Sequence, residues 1–325
     1  MNISTPWQQG NSEGPDQPLL AGVELGGTKI ICTLGTGPDG IVASERIPTG
    51  EPVRTLFAIE EVLDRWVAAY PAIAAIGIAS FGPLELDPNA PNYGSITQTS
   101  KPGWSGTDIA GRIRRRYGLP LGFDTDVNGA ALAEGRWGSA QGLRSWIYIT
   151  IGTGVGAGII VDHRAVQGLG HSEAGHMLVG RPDDGTAPGV CNFHGDCVEG
   201  LVSGPAIHAR AGLKGEKIAA NHPIWRSVCT TIAAMIHNLA MTSAPQRILL
   251  GGGVIEKRPE LFVPIREAVV ETMANYAHAS LIEAQIDAFI VPPGLGSMAG
   301  PLGALAVASG VAAISADRQP EASTV

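Results

Sequence analysis

The chain has 325 residues, 44% of them hydrophobic, and a formal net charge of −8. That length accommodates two domains with sizeable cores, and the acidic balance excludes a surface built for phosphate backbones, which recruit clustered Lys and Arg. No apolar run in the sequence reaches the ~18 residues of a membrane span, so neither a nucleic acid nor a membrane is an expected partner. Residues 1–19 are polar, with Asn, Gln, Ser and Pro in place of a basic start and an apolar core. They read as a flexible extension of a cytoplasmic protein.

In chain order, residues 20–24 and 30–34 form two strands around a glycine pair, and residues 41–47 form a third after the Gly37-Pro38-Asp39-Gly40 turn. Leu56, Ile59, Leu63, Trp66 and Val67 recur at helical spacing on one stripe, which predicts a packing helix. Residues 73–79 read as a buried strand and 109–117 as a short helix, whose Arg112 and Arg114 to Arg116 form a solvated face. Residues 119–123 make a strand leading to Asp124 and Asp126, placed on the same side of the extended chain, and a helix through Ala130 to Glu134 follows. The pattern then repeats: a strand at 146–151, a glycine turn, and a partner strand at 159–161. A long helix is marked by Ile224, Val228, Ile232, Met235, Ile236 and Leu239, a strand by 248–250, and an alanine-rich helix by 301–313. Strands alternating with helices predict an α/β fold, and the duplicated hairpin predicts two related lobes around a cleft.

Two glycine turns suit phosphate. Gly26-Gly27-Thr28-Lys29 and Gly152-Thr153-Gly154 expose backbone N–H groups unobstructed by Cβ atoms, and the threonines add hydroxyls. Neither is a Walker or Rossmann loop, since each leads into a strand. With Gly251-Gly252-Gly253 after the strand at 248–250, the three runs point to a nucleotide. Lys29 is placed to reach a phosphate. The carboxylates at the end of the fifth strand stand where ligands of α/β sheets bind. Asp124 is assigned a capping or orienting role and Asp126 that of the general base, which takes the proton from an attacking hydroxyl.

The stretch from 175 to 197 carries a different chemistry. His176, Cys191, His194 and Cys197 offer the Cys and His donors that zinc prefers, three of them from a Cys-x2-His-x2-Cys run. Four protein ligands leave no open position, so the zinc is structural. A disulfide between Cys191 and Cys197 is the rival reading, weakened because nothing else in the chain has a secreted character.

These pieces, ELGGTK at 24–29, DTDVNGAALAE at 124–134, GTGVGAG at 152–158, EAGH at 173–176 and CVEG at 197–200, stand in an order that resembles the ROK family of sugar kinases and repressors, within the actin-like ATPase superfamily. The resemblance covers about residues 20–315. It implies an α/β fold of two ribonuclease-H-like lobes: a smaller one over 20–125, a larger one over 126–300 with the zinc loop, and a C-terminal helix and tail over 301–325, packing back on the first lobe. It also implies ATP-dependent phosphorylation of a hexose, with Mg²⁺ accompanying ATP, in a homodimer.

Glu24 in place of the commoner aspartate and His194 in place of the middle cysteine resemble the bacterial fructokinase branch. So do the segments 81–84, 93–97 and 99–104, which look like that branch's sugar-side loop. The resemblance assigns Asp126 as the base, with Asn128, Glu173, His176, Glu199, Gly82, Thr99 and Lys101 as sugar contacts. Glu24 would hold a water on Mg²⁺. Glucose, mannose and N-acetylmannosamine are the alternative hexoses. A sugar-responsive regulator is the alternative of another class, disfavoured by the short segment before the first strand.

Overall fold

The computed structural model describes residues 17–180 and 187–317. The N-terminal extension up to residue 16, residues 181–186 of the zinc loop and the tail from 318 lie outside the described residues.

The elements run β1 (Leu19–Leu25), β2 (Lys29–Gly35), β3 (Ile41–Pro48), α1 (Pro52–Ala69), β4 (Ile73–Ser80), α2 (Ala110–Tyr117), β5 (Leu121–Thr125), α3 (Asp126–Trp137), β6 (Trp146–Ile151), β7 (Val155–Val161) and β8 (Arg164–Ala165). There follow α4 (Val198–Val202), α5 (Gly204–Ala211), α6 (Ile224–Ser243), β9 (Arg247–Gly251), α7 (Gly253–Glu256), α8 (Phe262–Met273), α9 (Ala279–Ala284), α10 (Ile286–Phe289), β10 (Ile290–Val291) and α11 (Ala299–Asp317). The chain divides into two compact units: one holds residues up to 137 with 167–171 and 297 onward, the other 138–166 and 172–296. The division falls after α3, not at 125, because α3 packs on α11 and stays with the first sheet.

The first unit is a five-stranded sheet in the order β3-β2-β1-β4-β5. β2 is antiparallel to both its neighbours, whereas β1, β4 and β5 are parallel. Alternation along the strands sorts their residues. Ala21, Val23, Leu25, Ile76 and Ile78 join Leu56, Ile59, Leu63 and Trp66 of α1 in one core. Gly22, Gly77 and Gly122 stand in register across β1, β4 and β5 and point the other way. They form a shallow trench for α11. A Cβ on Gly22 would lie 3.0 Å from Ala304 Cβ and one on Gly122 2.6 Å from the Val307 carbonyl oxygen, while one on Gly77 would collide with Ala304 O and Ala308 N. Gly303 meets Gly129 of α3 in the same way, with its Cβ position 2.6 Å from the Gly129 carbonyl carbon.

Gly77→Ala is therefore expected to lift α11 off the sheet and cost about 3 kcal/mol of stability, the upper range for overpacking. Gly168→Ala, whose Cβ meets nothing within 4 Å, is the control. Equal denaturation midpoints for the two variants would contradict the trench.

Two readings of the sequence are corrected here. One helix does meet the length and composition of a membrane span, residues 296–315 with mean hydropathy 1.6. Its small residues lie inside the first unit, where Ala304, Leu305 and Ala308 are fully buried against β1 and β4. The arginines of α2 are also more than a solvated face. Arg112 makes bonds of 2.6 and 2.7 Å to the two carboxylate oxygens of buried Glu60, and Arg116 pairs with Asp64, so α2 is tied to α1.

The second unit repeats the plan. Its sheet is ordered β10-β9-β6-β7-β8, with β6 antiparallel to β7 and parallel to β9. Read from the other edge, the order and strand senses match those of the first sheet. α6 supplies a row of buried apolar residues, from Ile224 and Val228 through Ile232, Met235 and Ile236 to Leu239, and packs on α4 and α8.

Candidate functional site

The first glycine turn closes the β1–β2 hairpin, with the Gly26 N–H donating to Lys29 O at 3.1 Å. Thr49 braces it from β3's end, donating its hydroxyl to Gly26 O at 2.8 Å. The Lys101 ammonium donates to Gly27 O and lies 5.6 Å above the Phe81 ring, which stacks edge-on against buried Trp104. Lys101, read from the sequence as a sugar contact, thus brings a positive charge to the first glycine turn. Thr99 is engaged locally, its N–H donating to Ser105 Oγ at 3.1 Å. Gly82 opens the loop that carries Leu84, whose N–H donates to His171 Nε2 at 2.9 Å. No spacing in the sequence marks His171 or Thr49 for these roles.

Glu24 follows Gly22 on the α11 side of β1, against Gly300. Burial pushes its carboxyl above the ordinary carboxylate range, against the opposing charge of Lys29. Its Oε2 is buried without a hydrogen-bond partner. A carboxylate oxygen left in that state fits a water-bridged hold on Mg²⁺, which such hard oxygen donors suit.

The two aspartates are not on one side of an extended strand, which corrects the sequence reading. β5 ends at Thr125 and Asp126 is already the first residue of α3, so the side-chain period changes between them. Of the capping or orienting roles expected of Asp124, capping falls to Thr125. Thr125 Oγ1 accepts from the Asn128 backbone N–H at 3.1 Å, the bond by which an N-cap threonine satisfies the N–H three residues on. Asp124 Oδ1 instead accepts from Asn128 Nδ2 at 2.8 Å and from the Thr125 N–H at 2.7 Å. Burial pushes the Asp124 carboxyl up, opposed by those two bonds and by the charge of His171. Asp126 Oδ1 accepts from the Val127 N–H at 2.9 Å. The arrangement holds Asp124, Asp126 and Asn128 around one helix start.

In the second unit the turn Gly152-Thr153-Gly154 joins β6 to β7, and Gly152 lies beside Gly253 and accepts from the Gly204 N–H at 2.8 Å. Gly252 adopts φ 87°, and a Cβ there would collide with the end of β6. Only glycine tolerates both conditions. Two of the three glycine runs thus converge within this unit. Glu199 of α4 reaches the same turn, its Oε2 accepting from the Val155 N–H at 3.0 Å.

A candidate metal centre lies in the same unit. His176, Cys191, His194 and Cys197 place one ligand atom each within 4.8 Å of the others. Zinc bonds of about 2.05 Å to nitrogen and 2.3 Å to sulfur at tetrahedral angles put two nitrogens about 3.3 Å apart and a nitrogen and a sulfur about 3.6 Å apart. The two histidine Nδ1 atoms are 3.3 Å apart, and His176 Nδ1 is 3.6 Å from Cys197 Sγ and 3.7 Å from Cys191 Sγ. The donor set therefore fits zinc. Both cysteines are free, which removes the disulfide reading. Cys197 also accepts from the Gly200 N–H as the N-cap of α4. Glu173 precedes the short helical turn that carries His176 and is exposed.

Comparison with known proteins places this architecture. The chain is 39% identical over 290 residues to the fructokinase of Pediococcus pentosaceus, covering 89% of this chain and 97% of that one. To the fructokinase of Zymomonas mobilis it is 38% identical over 297 residues, covering 90% and 97%. Among solved structures, the ROK hexokinase of Thermus thermophilus matches with a TM-score of 0.74 at 25% identity, over 89% of this chain and 97% of that chain. The ROK family's own sequence pattern matches residues 20–311. With a family match over residues 20–311 and relatives at 38–39% identity, the chain, with its two sheets, its glycine turns and its Cys/His cluster, belongs to the ROK family.

Proposed function

We propose that the chain is an ATP-dependent fructokinase, converting D-fructose to D-fructose 6-phosphate. The observation that carries this reading is 38–39% identity to two fructokinases over nearly their whole length, in a chain that holds a carboxylate at the start of α3. Asp126 is the general base: its carboxylate takes the proton of the sugar's 6-hydroxyl as that oxygen bonds to the γ-phosphorus and the bond from phosphorus to the ADP oxygen breaks. Little covalent chemistry is asked of the protein, so most of the acceleration comes from positioning and from charge placed on the phosphates.

Asn128, Glu173, His176, Glu199, Gly82 and Thr99 hold sugar hydroxyls. Gly26 to Lys29, Gly152 to Gly154 and Gly251 to Gly253 receive the nucleotide, with Lys101 adding charge at the first turn. Mg²⁺, held through Glu24, supplies charge neutralisation on the phosphates when bound. Zinc held by His176, Cys191, His194 and Cys197 fixes the loop between Glu173 and Glu199. The two sheets are ribonuclease-H-like lobes on this reading, and the protein acts as a cytoplasmic homodimer, as the family resemblance implies.

The test is a coupled assay with a panel of hexoses at saturating Mg·ATP. Buried donors and acceptors left unpaired by a wrong sugar separate close analogues strongly. Fructose should give the highest kcat/KM, mannose a lower one and glucose the lowest of the three. Glucose or N-acetylmannosamine exceeding fructose would overturn the substrate assignment while leaving the kinase intact.

A further inference from the structure

Glu199 spends one of its two carboxylate oxygens on the protein itself. Oε2 accepts from the Val155 N–H at 3.0 Å, immediately after the Gly152–Gly154 turn, and a Cβ on Gly154 would stand 2.7 Å from that same oxygen. The missing side chain at 154 is what lets the carboxylate in. The base of Glu199 is equally fixed: α4 starts from Cys197, a zinc ligand, and the Val198 N–H donates to the carbonyl of Met177, the neighbour of the ligand His176. Gly175, on the other side of His176, is packed on the Val155 carbonyl. Two segments of the metal centre therefore meet at the first residue of β7.

We propose that Glu199 is a positioning residue for the nucleotide turn, in addition to any contact it makes with sugar. A carboxylate beside a phosphate-binding turn opposes the charge of its ligand, so electrostatics gives it no reason to be there for the nucleotide. A charge-assisted bond to a backbone N–H does. It fixes the direction of the chain as it leaves Gly154 and sets the N–H groups of the turn in place. The inference rests on reading Gly152–Gly154 as a nucleotide turn.

Glu199→Asp and Glu199→Gln separate the two roles. Aspartate keeps the charge and draws the oxygens back by one methylene, out of reach of Val155. Glutamine keeps an acceptor oxygen at the same reach and drops the charge. Mg·ADP binding is measured by calorimetry without sugar, on protein whose zinc content shows the loop intact. Loss of the bond should weaken Mg·ADP about tenfold in the Asp variant. The Gln variant should bind Mg·ADP at least as tightly as the unaltered chain while its KM for fructose rises. Equal Mg·ADP affinity in all three proteins would overturn the positioning role and leave the nucleotide turn standing. If the unaltered chain itself fails to bind Mg·ADP, the reading of the turn falls, and this inference with it.

Discussion

Asp126→Asn should lower kcat by two orders of magnitude or more, the usual contribution of a positioned general base. The substitution is unusually clean at this site. Asp126 Oδ1 accepts from the Val127 N–H, and an asparagine oxygen accepts the same bond, so the helix start keeps its geometry. Thr125, not Asp126, supplies the N-cap bond, so α3 loses no cap. The variant lacks the capacity to take a proton. Mg·ADP and fructose should bind within about twofold of their original affinities, so that the loss appears in kcat and not in KM. A variant turning over at near the original rate would remove Asp126 from the proton transfer.

Metal analysis of protein purified without chelator should find about one zinc per chain, and Cys197→Ser should abolish it. Serine is itself a good N-cap, so the bond that Cys197 accepts from the Gly200 N–H survives the exchange and the variant isolates the metal. Losing a ligand should bring the thermal midpoint down by roughly 5 °C or more, because metal binding is folding free energy for the loop that it closes. Cys191→Ser, at a residue that caps no helix, should behave alike. Zinc at full occupancy in both variants would refute the four-ligand centre.

Much of this was legible in the sequence because the signals were local. Apolar runs of strand length located β1, β2, β4, β6 and β9, and four Cys and His donors within a short stretch located the Cys/His cluster. What escaped depends on contacts between distant segments. Gly22, Gly77 and Gly122 lie far apart along the chain and each reads as a weak spot in a strand; only the register of three strands makes them a trench. The alanine-rich pattern over 301–313 marked α11 as a helix but not the surface that it covers, which only the register of the trench makes plain. Asp124 and Asp126 were assigned a common side because the switch from an extended to a helical period falls between them. The partners of Lys101 and Glu199 are backbone groups, Gly27 O and the Val155 N–H, and side-chain identity does not mark those.

The glycine trench also sets a timetable. Strands β1, β2, β4 and β5 are complete once residue 125 has been made, yet Gly22, Gly77 and Gly122 are covered by α11, which begins only at residue 299. A face lined with glycine offers bare backbone in place of an apolar side-chain layer, so it gains little from collapse on its own. During synthesis the second unit, whose sheet and helices lie between 138 and 296 apart from the short segment 167–171, can close before the first. The earliest-made unit is then the last to finish folding, in reverse of the order in which domains usually mature on the ribosome.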